Sequence, residues 1–171
     1  MGIYVANPTS RKGIRELANT LRSIMDMEYE EYFPIVDFLE LGLTELFKDF
    51  EYEIVSIDEM VGKYGVTYPE KNLIRLREDV YEGAIDGRAR DRFTVAHEIG
   101  HFIMHSPGKI ELARTQNIES IPAYKDPEWQ ANTFAGELLA PPQIIKGLSA
   151  REVALSCGVS LSVAQIQLKN I

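Results

Sequence analysis

The sequence holds a single cysteine, Cys157, and only three histidines in 171 residues. One thiol cannot close an internal disulfide, and it rules out every zinc site that needs a pair of cysteines. It also suits a reducing compartment, so the expected localisation is cytoplasmic. No apolar run approaches the roughly 18 residues of a membrane-spanning helix. The opening stretch MGIYVANPTS has neither the charged nor the apolar region of a signal peptide, and Ala6 stands where a myristoylation motif needs Ser or Thr. Neither targeting device is expected. Basic residues are scarce where acidic ones are dense: positions 26–59 hold 12 acidic residues against one basic, Lys48. That stretch exceeds the whole net charge of -8 and leaves the remainder slightly positive. So acidic a face argues against nucleic acid or an anionic membrane as its partner; it reads as a solvated helical surface or a docking face for a basic protein.

What is present is ordinary globular composition, 45% hydrophobic and 26% charged, in a chain of one-domain length. Thr9 or Ser10 can cap a helix running to about Met25, and Pro34 suits the start of a second carrying Ile35, Phe38, Leu39, Leu43, Leu46 and Phe47. The period then shortens towards two around Tyr52–Ile57, Gly65–Tyr68 and Leu73–Leu76, which predicts three short strands. A short helix near Asp79–Ala84 precedes a long one from about Arg90 to His105, stopped by Ser106-Pro107-Gly108. Ile110–Ala113 is strand-like. Asp126-Pro127-Glu128 offers an N-cap, an N1 proline and an early acid, and so opens a helix to Leu139. Pro141-Pro142 marks the boundary of a final helical segment. The expected division is 1–140 for the main domain and 141–171 for a helical appendage packed on it.

All three histidines, His97, His101 and His105, fall within nine residues, and His97-Glu98-Ile99-Gly100-His101 is an HExxH pattern. Chance would supply about 0.004 such patterns in this composition. On a helix, residues four apart are rotated by only ~40° and separated by ~6 Å, so both imidazoles can reach one ion. Glu98 lies ~100° round from His97, at the edge of that face, where its carboxylate can take a proton from an attacking water and pass it to a leaving amine. Val95, Ala96, Ile99, Phe102 and Ile103 gather on the other side, so the histidines stand outside the core stripe. Gly100, between the two faces, suits close approach by a neighbouring element. Two competing readings are an exposed helix with unrelated histidines and a metal held without catalysis.

A catalytic zinc takes three protein ligands. The metzincin spacing would need a third histidine where Pro107 stands, which excludes that class. His105 lies ~12 Å along the axis from His97, too far for one ion on a straight helix, and is expected to be structural or to orient a ligand. Among the carboxylates Glu111, Glu119, Asp126, Glu128 and Glu137, the choice falls on Glu128. Its helix carries Ala131, Phe134, Ala135 and Leu138 as a core face that could pack against the HExxH helix. Asn132, one turn on, could orient His97 or His101 through the free ring nitrogen. Glu137 is rotated by ~180° from Glu128 and is expected to be solvated or structural. Tyr68, Tyr81, Tyr124 and Arg92 are possible oxyanion donors with no spacing rule to choose among them.

The run from Arg90 through the HExxH motif to His105, followed by Asp126-Pro127-Glu128-Trp129-Gln130-Ala131-Asn132-Thr133-Phe134-Ala135-Gly136-Glu137-Leu138-Leu139-Ala140-Pro141, resembles the ImmA/IrrE family of metallo-endopeptidases. The likeness extends over most of the chain. One departure is Ala140, where the family commonly has methionine before the last proline. The resemblance implies an α+β, zincin-like fold with a small, mostly antiparallel sheet beside the active-site helix. It implies one catalytic Zn2+ on His97, His101 and Glu128, with Glu98 as general base. Family members typically cleave or otherwise relieve a helix-turn-helix repressor or antitoxin-like partner, in bacteria, mobile elements and prophages. The alternatives are a metal-stabilised module that displaces its partner without cutting, and a DNA-binding regulator.

The tail from Arg151 to Lys169 reads as a helix, a glycine turn at Gly158 and a Ser-capped second helix, like a helix-turn-helix. From Ser160 onward its only cation is Lys169, with Gln165, Gln167 and Asn170 as possible polar readers, so DNA binding is not expected. Cys157 in this pair is expected to be buried and inert. If Leu73–Leu76 forms a sheet edge beside the metal, an extended substrate could add to it.

Overall fold

A serine hydroxyl decides where the first helix begins. In the computed structural model, which describes residues 3–105, 110–113 and 121–171, strand β1 (Ile3–Ala6) leads to helix α1 (Arg11–Ile24). Ser10, not Thr9, caps that helix, its Oγ accepting from the Gly13 N–H at 3.1 Å. Pro34 then precedes α2 (Ile35–Asp37), a π turn (Phe38–Gly42) and α3 (Leu43–Leu46). A regular helix was the expectation for this stretch. The π turn shifts the helical phase of the residues after it, so Leu46 and Phe47 end 39% and 38% exposed instead of completing the apolar stripe.

Strands β2 (Glu51–Val55), β3 (Gly65–Tyr68) and β4 (Leu73–Arg77) form one sheet in the order β2-β4-β3. β4 runs parallel to β2 and antiparallel to β3. All three expected strands are present, but Leu73–Leu76 is not an edge. β4 is hydrogen-bonded on both sides, with Ile74 and Leu76 fully buried, so a substrate has no free ladder there. Strand periodicity gives the faces of a strand and carries no information on its lateral order. The edges are β2 and β3, and β3 is the one packed against α5.

Helix α4 (Glu78–Ile85) links the sheet to the long helix α5 (Ala89–Met104). The expected stop at Ser106-Pro107-Gly108 lies outside the described residues. Strand β5 (Ile110–Ala113) pairs antiparallel with β1, a strand with no counterpart among the sequence expectations. Asp126 caps α6 (Pro127–Leu139), its carboxylate accepting from the Glu128 N–H at 3.0 Å. Next come α7 (Pro142–Ile145), α8 (Ala150–Cys157) and α9 (Leu161–Lys169). Ser149 and Glu152 form a capping box on α8, Gly158 ends that helix at φ 64°, and Ser160 caps α9. Among the described residues, no helix is long and apolar enough to cross a membrane.

One core runs through these elements. Ile74 and Leu76 of β4, Val95 and Ile99 of α5, Phe134 and Leu138 of α6, and Val153 and Cys157 of α8 belong to a single buried cluster. α5 backs β3 and β4 on one side and packs against α6 on another. The α5–α6 approach depends on Gly100: a Cβ there would lie 2.9 Å from Phe134 Cδ1 and 3.3 Å from Ala131 Cα. Gly100→Val is therefore expected to cost about 1–3 kcal/mol through overpacking. Thermal denaturation reads that loss, and an unchanged midpoint would contradict the close-packing role.

Candidate metal centre

Two helices bring the polar residues together. α5 presents His97, Glu98 and His101 across its width, and α6 presents Glu128 in its first turn, where the helix dipole favours a carboxylate. His97 Nε2 and His101 Nε2 are 3.0 Å apart. Glu128 Oε2 lies 3.2 Å from His97 Nε2, and Glu128 Oε1 lies 3.0 Å from His101 Nε2. Two ligands at ~2.05 Å from a tetrahedral zinc would be about 3.3 Å apart. The triangle is close to that size, and the three side chains form a group able to hold a metal ion.

The surrounding hydrogen bonds are compatible with a cation there. Asn132 Oδ1 can only accept, so His97 donates to it from Nδ1 at 2.8 Å and keeps its lone pair on Nε2. His101 Nδ1 contacts His105 Nδ1 at 2.9 Å, and His105 Nε2 contacts Gln130 Oε1 at 2.8 Å. With both Nε2 atoms bare, as metal binding would require, three acceptors converge on one point. A proton on either Nε2 can stand where that cation would, facing Glu128. Hydrogen bonds from His101 and His97 hold the Glu128 carboxyl far below the usual carboxylate range, although its side chain is 67% exposed. For His97, burial pulls the pKa down, but the bond to Glu128 and the charges of Glu98 and Glu128 outweigh it and the net shift is upward. His105 is different: burial takes it down to about 4, which keeps it neutral.

Glu98 is almost enclosed, 7% exposed, on the sheet side of this cluster. Its Oε2 accepts from the Thr67 hydroxyl at 2.6 Å. Thr67 stands on the edge strand β3, and two residues earlier on the same face Gly65 leaves room for the glutamate. A Cβ at Gly65 would lie 2.9 Å from Glu98 Cγ. The general-base candidate is thus seated by two residues of a strand that is distant in sequence.

The remaining sequence candidates are placed elsewhere. Glu137 is fully buried, not solvated, and pairs with Arg11 at 3.0 Å and Arg15 at 2.8 Å. Glu119 and the side chain of Glu111 lie outside the described residues. Asp126 is engaged as the α6 cap. Of the possible oxyanion donors, Arg92 is buried and donates to the carbonyls of Phe33, Cys157 and Gly158, tying α5 to the α8–α9 turn. The Tyr81 hydroxyl bonds Glu40, whose carboxylate pushes its pKa up to about 12. Gln167, a possible base reader, is buried and donates to the Ala140 carbonyl at 3.1 Å, so it cannot serve that role in this fold. Cys157 is buried, and burial raises its thiol pKa. Two residues escaped the sequence reading. Thr67 carries no local signal, whereas Gln130 does: it stands four before Phe134 and eight before Leu138, a polar residue on an apolar stripe.

A sheet-backed HExxH helix facing a glutamate on the next helix defines the class, an α+β protein built around a His-His-Glu group. A family model described as Peptidase_M78, the IrrE N-terminal-like domain, matches residues 50–168. The chain belongs to that family. No curated protein matches it.

Proposed function

We propose that this protein is a zinc-dependent endopeptidase that inactivates a helix-turn-helix repressor or antitoxin-like regulator in the cytoplasm. The observation that carries the reading is the convergence of three acceptors, His97 Nε2, His101 Nε2 and the Glu128 carboxylate, beside the enclosed carboxylate of Glu98. Two imidazoles and a carboxylate are a zinc-type donor set, and the family supports peptide-bond hydrolysis. A zinc ion held by these three groups would supply Lewis acidity to the scissile carbonyl and to water.

The chain's own residues do the rest. Asn132 orients the His97 ring. Glu98 accepts a proton from the attacking water on one carboxylate oxygen while Thr67 fixes the other, and then delivers that proton to the departing amine nitrogen. Because β3 is the free edge beside Glu98, an extended substrate segment would add there, with main-chain pairing aligning the scissile bond. Residues 1–140 would form the peptidase unit, and the helical segment 141–171 would hold the protein partner. The buried Gln167 and the lone cation of α9 favour a protein over DNA at that surface.

The test is co-incubation with a candidate helix-turn-helix regulator, with and without chelator, after metal analysis. One zinc per chain and fragments that vanish with chelator are expected. Displacement of the regulator from its operator without fragments would replace the enzyme reading by that of a binding module.

A further inference from the structure

The hydrogen bonds behind His101 extend further than those behind His97, and their direction is fixed from the far end. Gln130 is 1% exposed, and its Nε2 lies 2.9 Å from the Asn7 carbonyl and 2.9 Å from the Tyr124 carbonyl. Carbonyl oxygens only accept, so the amide nitrogen must face them and Oε1 must face His105. Oε1 also only accepts, so His105 must carry its proton on Nε2. A His101 that gives Nε2 to a metal keeps its ring proton on Nδ1, and a His105 with its proton on Nε2 offers the bare Nδ1 that accepts it at 2.9 Å. The two carbonyls fix the first steps, and the metal reading of His101 fixes the last. At its end, the His101 Nε2 lone pair is left for a cation seated beside His97 Nε2 and Glu128.

We propose that His105 and Gln130 are positioning residues that lock His101 in its Nδ1–H tautomer, with the lock anchored on the Asn7 and Tyr124 carbonyls. The inference rests on the reading of His101 as a metal ligand. His97 has a separate Nδ1 partner, Asn132. The two ligands of one helix therefore have separate supports, one at a half-exposed surface and one through the interior to the segment after β1. Metal affinity is accordingly tied to the seating of that N-terminal segment, though it offers no ligand itself. The alternative, that Gln130 merely fills space between α5 and α6, predicts no difference between the two histidines.

The experiment is long-range 15N–1H NMR of the imidazoles, with zinc affinity measured by chelator competition, on the full chain and on Gln130→Met. In the unaltered chain His105 is expected as the Nε2–H tautomer, with and without zinc. In Gln130→Met its signature should average between tautomers while that of zinc-loaded His97 is unchanged, and zinc affinity should fall by about 10- to 100-fold. An Nδ1–H His105 in the unaltered chain would overturn the proposal, as would wild-type affinity in a folded Gln130→Met. Should that variant not fold, the tautomer of the unaltered chain decides alone. Failure of the unaltered chain to bind zinc would defeat the metal reading separately, because the His105 tautomer is measured without metal.

Discussion

Glu98→Gln is expected to keep its full metal complement and to lose cleavage by about 10²- to 10⁴-fold, the usual contribution of a positioned general base. The substitution is close to isosteric. Its amide oxygen can still accept from Thr67, so the seat formed by Thr67 and Gly65 stays filled. The three atoms that would hold the ion, on His97, His101 and Glu128, are untouched. What disappears is the capacity to take up a proton. Metal stoichiometry and cleavage of the proposed regulator substrate, measured on one preparation, separate those two properties. Cleavage within about tenfold of the parent would exclude Glu98 from proton transfer, and loss of metal would mean instead that it contributes to holding the ion.

The parts of this site that could be read from the sequence are those carried by a single helix or by its cap. His97, Glu98 and His101 follow from a four-residue spacing, and Glu128 from the Asp126-Pro127 start of a helix whose apolar face needed a partner. Gly100 as a point of close approach follows from its position between two faces, and Phe134 of α6 fills that approach. Lateral relations were not legible. The order β2-β4-β3 places Leu73–Leu76 inside the sheet, not at the edge considered for it, and puts Thr67 against Glu98, a contact spanning 31 residues. Such pairings are decided by which buried faces fit together, a property of the assembled core that no local period records. His105 is an intermediate case: its spacing excludes it as a third ligand, but only the packing of α6 reveals Gln130 beyond it.

The largest expected loss of stability is far from the metal, at the opposite end of α6. Glu137 is completely buried with its charge balanced by Arg11 and Arg15 of α1, and Arg15 also donates to the Asn170 carbonyl while Arg11 reaches Gln167 at 3.3 Å. The first helix, α6 and the end of α9 thus meet around one carboxylate. Replacing both arginines by methionine keeps most of the aliphatic volume but strands that carboxylate in the interior. Removing the partners of a buried charge typically costs about 3–5 kcal/mol. The lower end is expected here, about 3 kcal/mol, because the two arginine side chains are 22% and 26% exposed and the pairs are partly screened. Adding Glu137→Met should recover most of the loss, since a wholly apolar replacement leaves no uncompensated charge. Urea denaturation of the parent, the double and the triple variant checks both steps. Additive damage in the triple variant would show that the network matters through its shape and not through its charge. Recovery would identify Glu137 as the reason the arginines are there, and α1 as the brace that holds α6, and with it Glu128, against the HExxH helix.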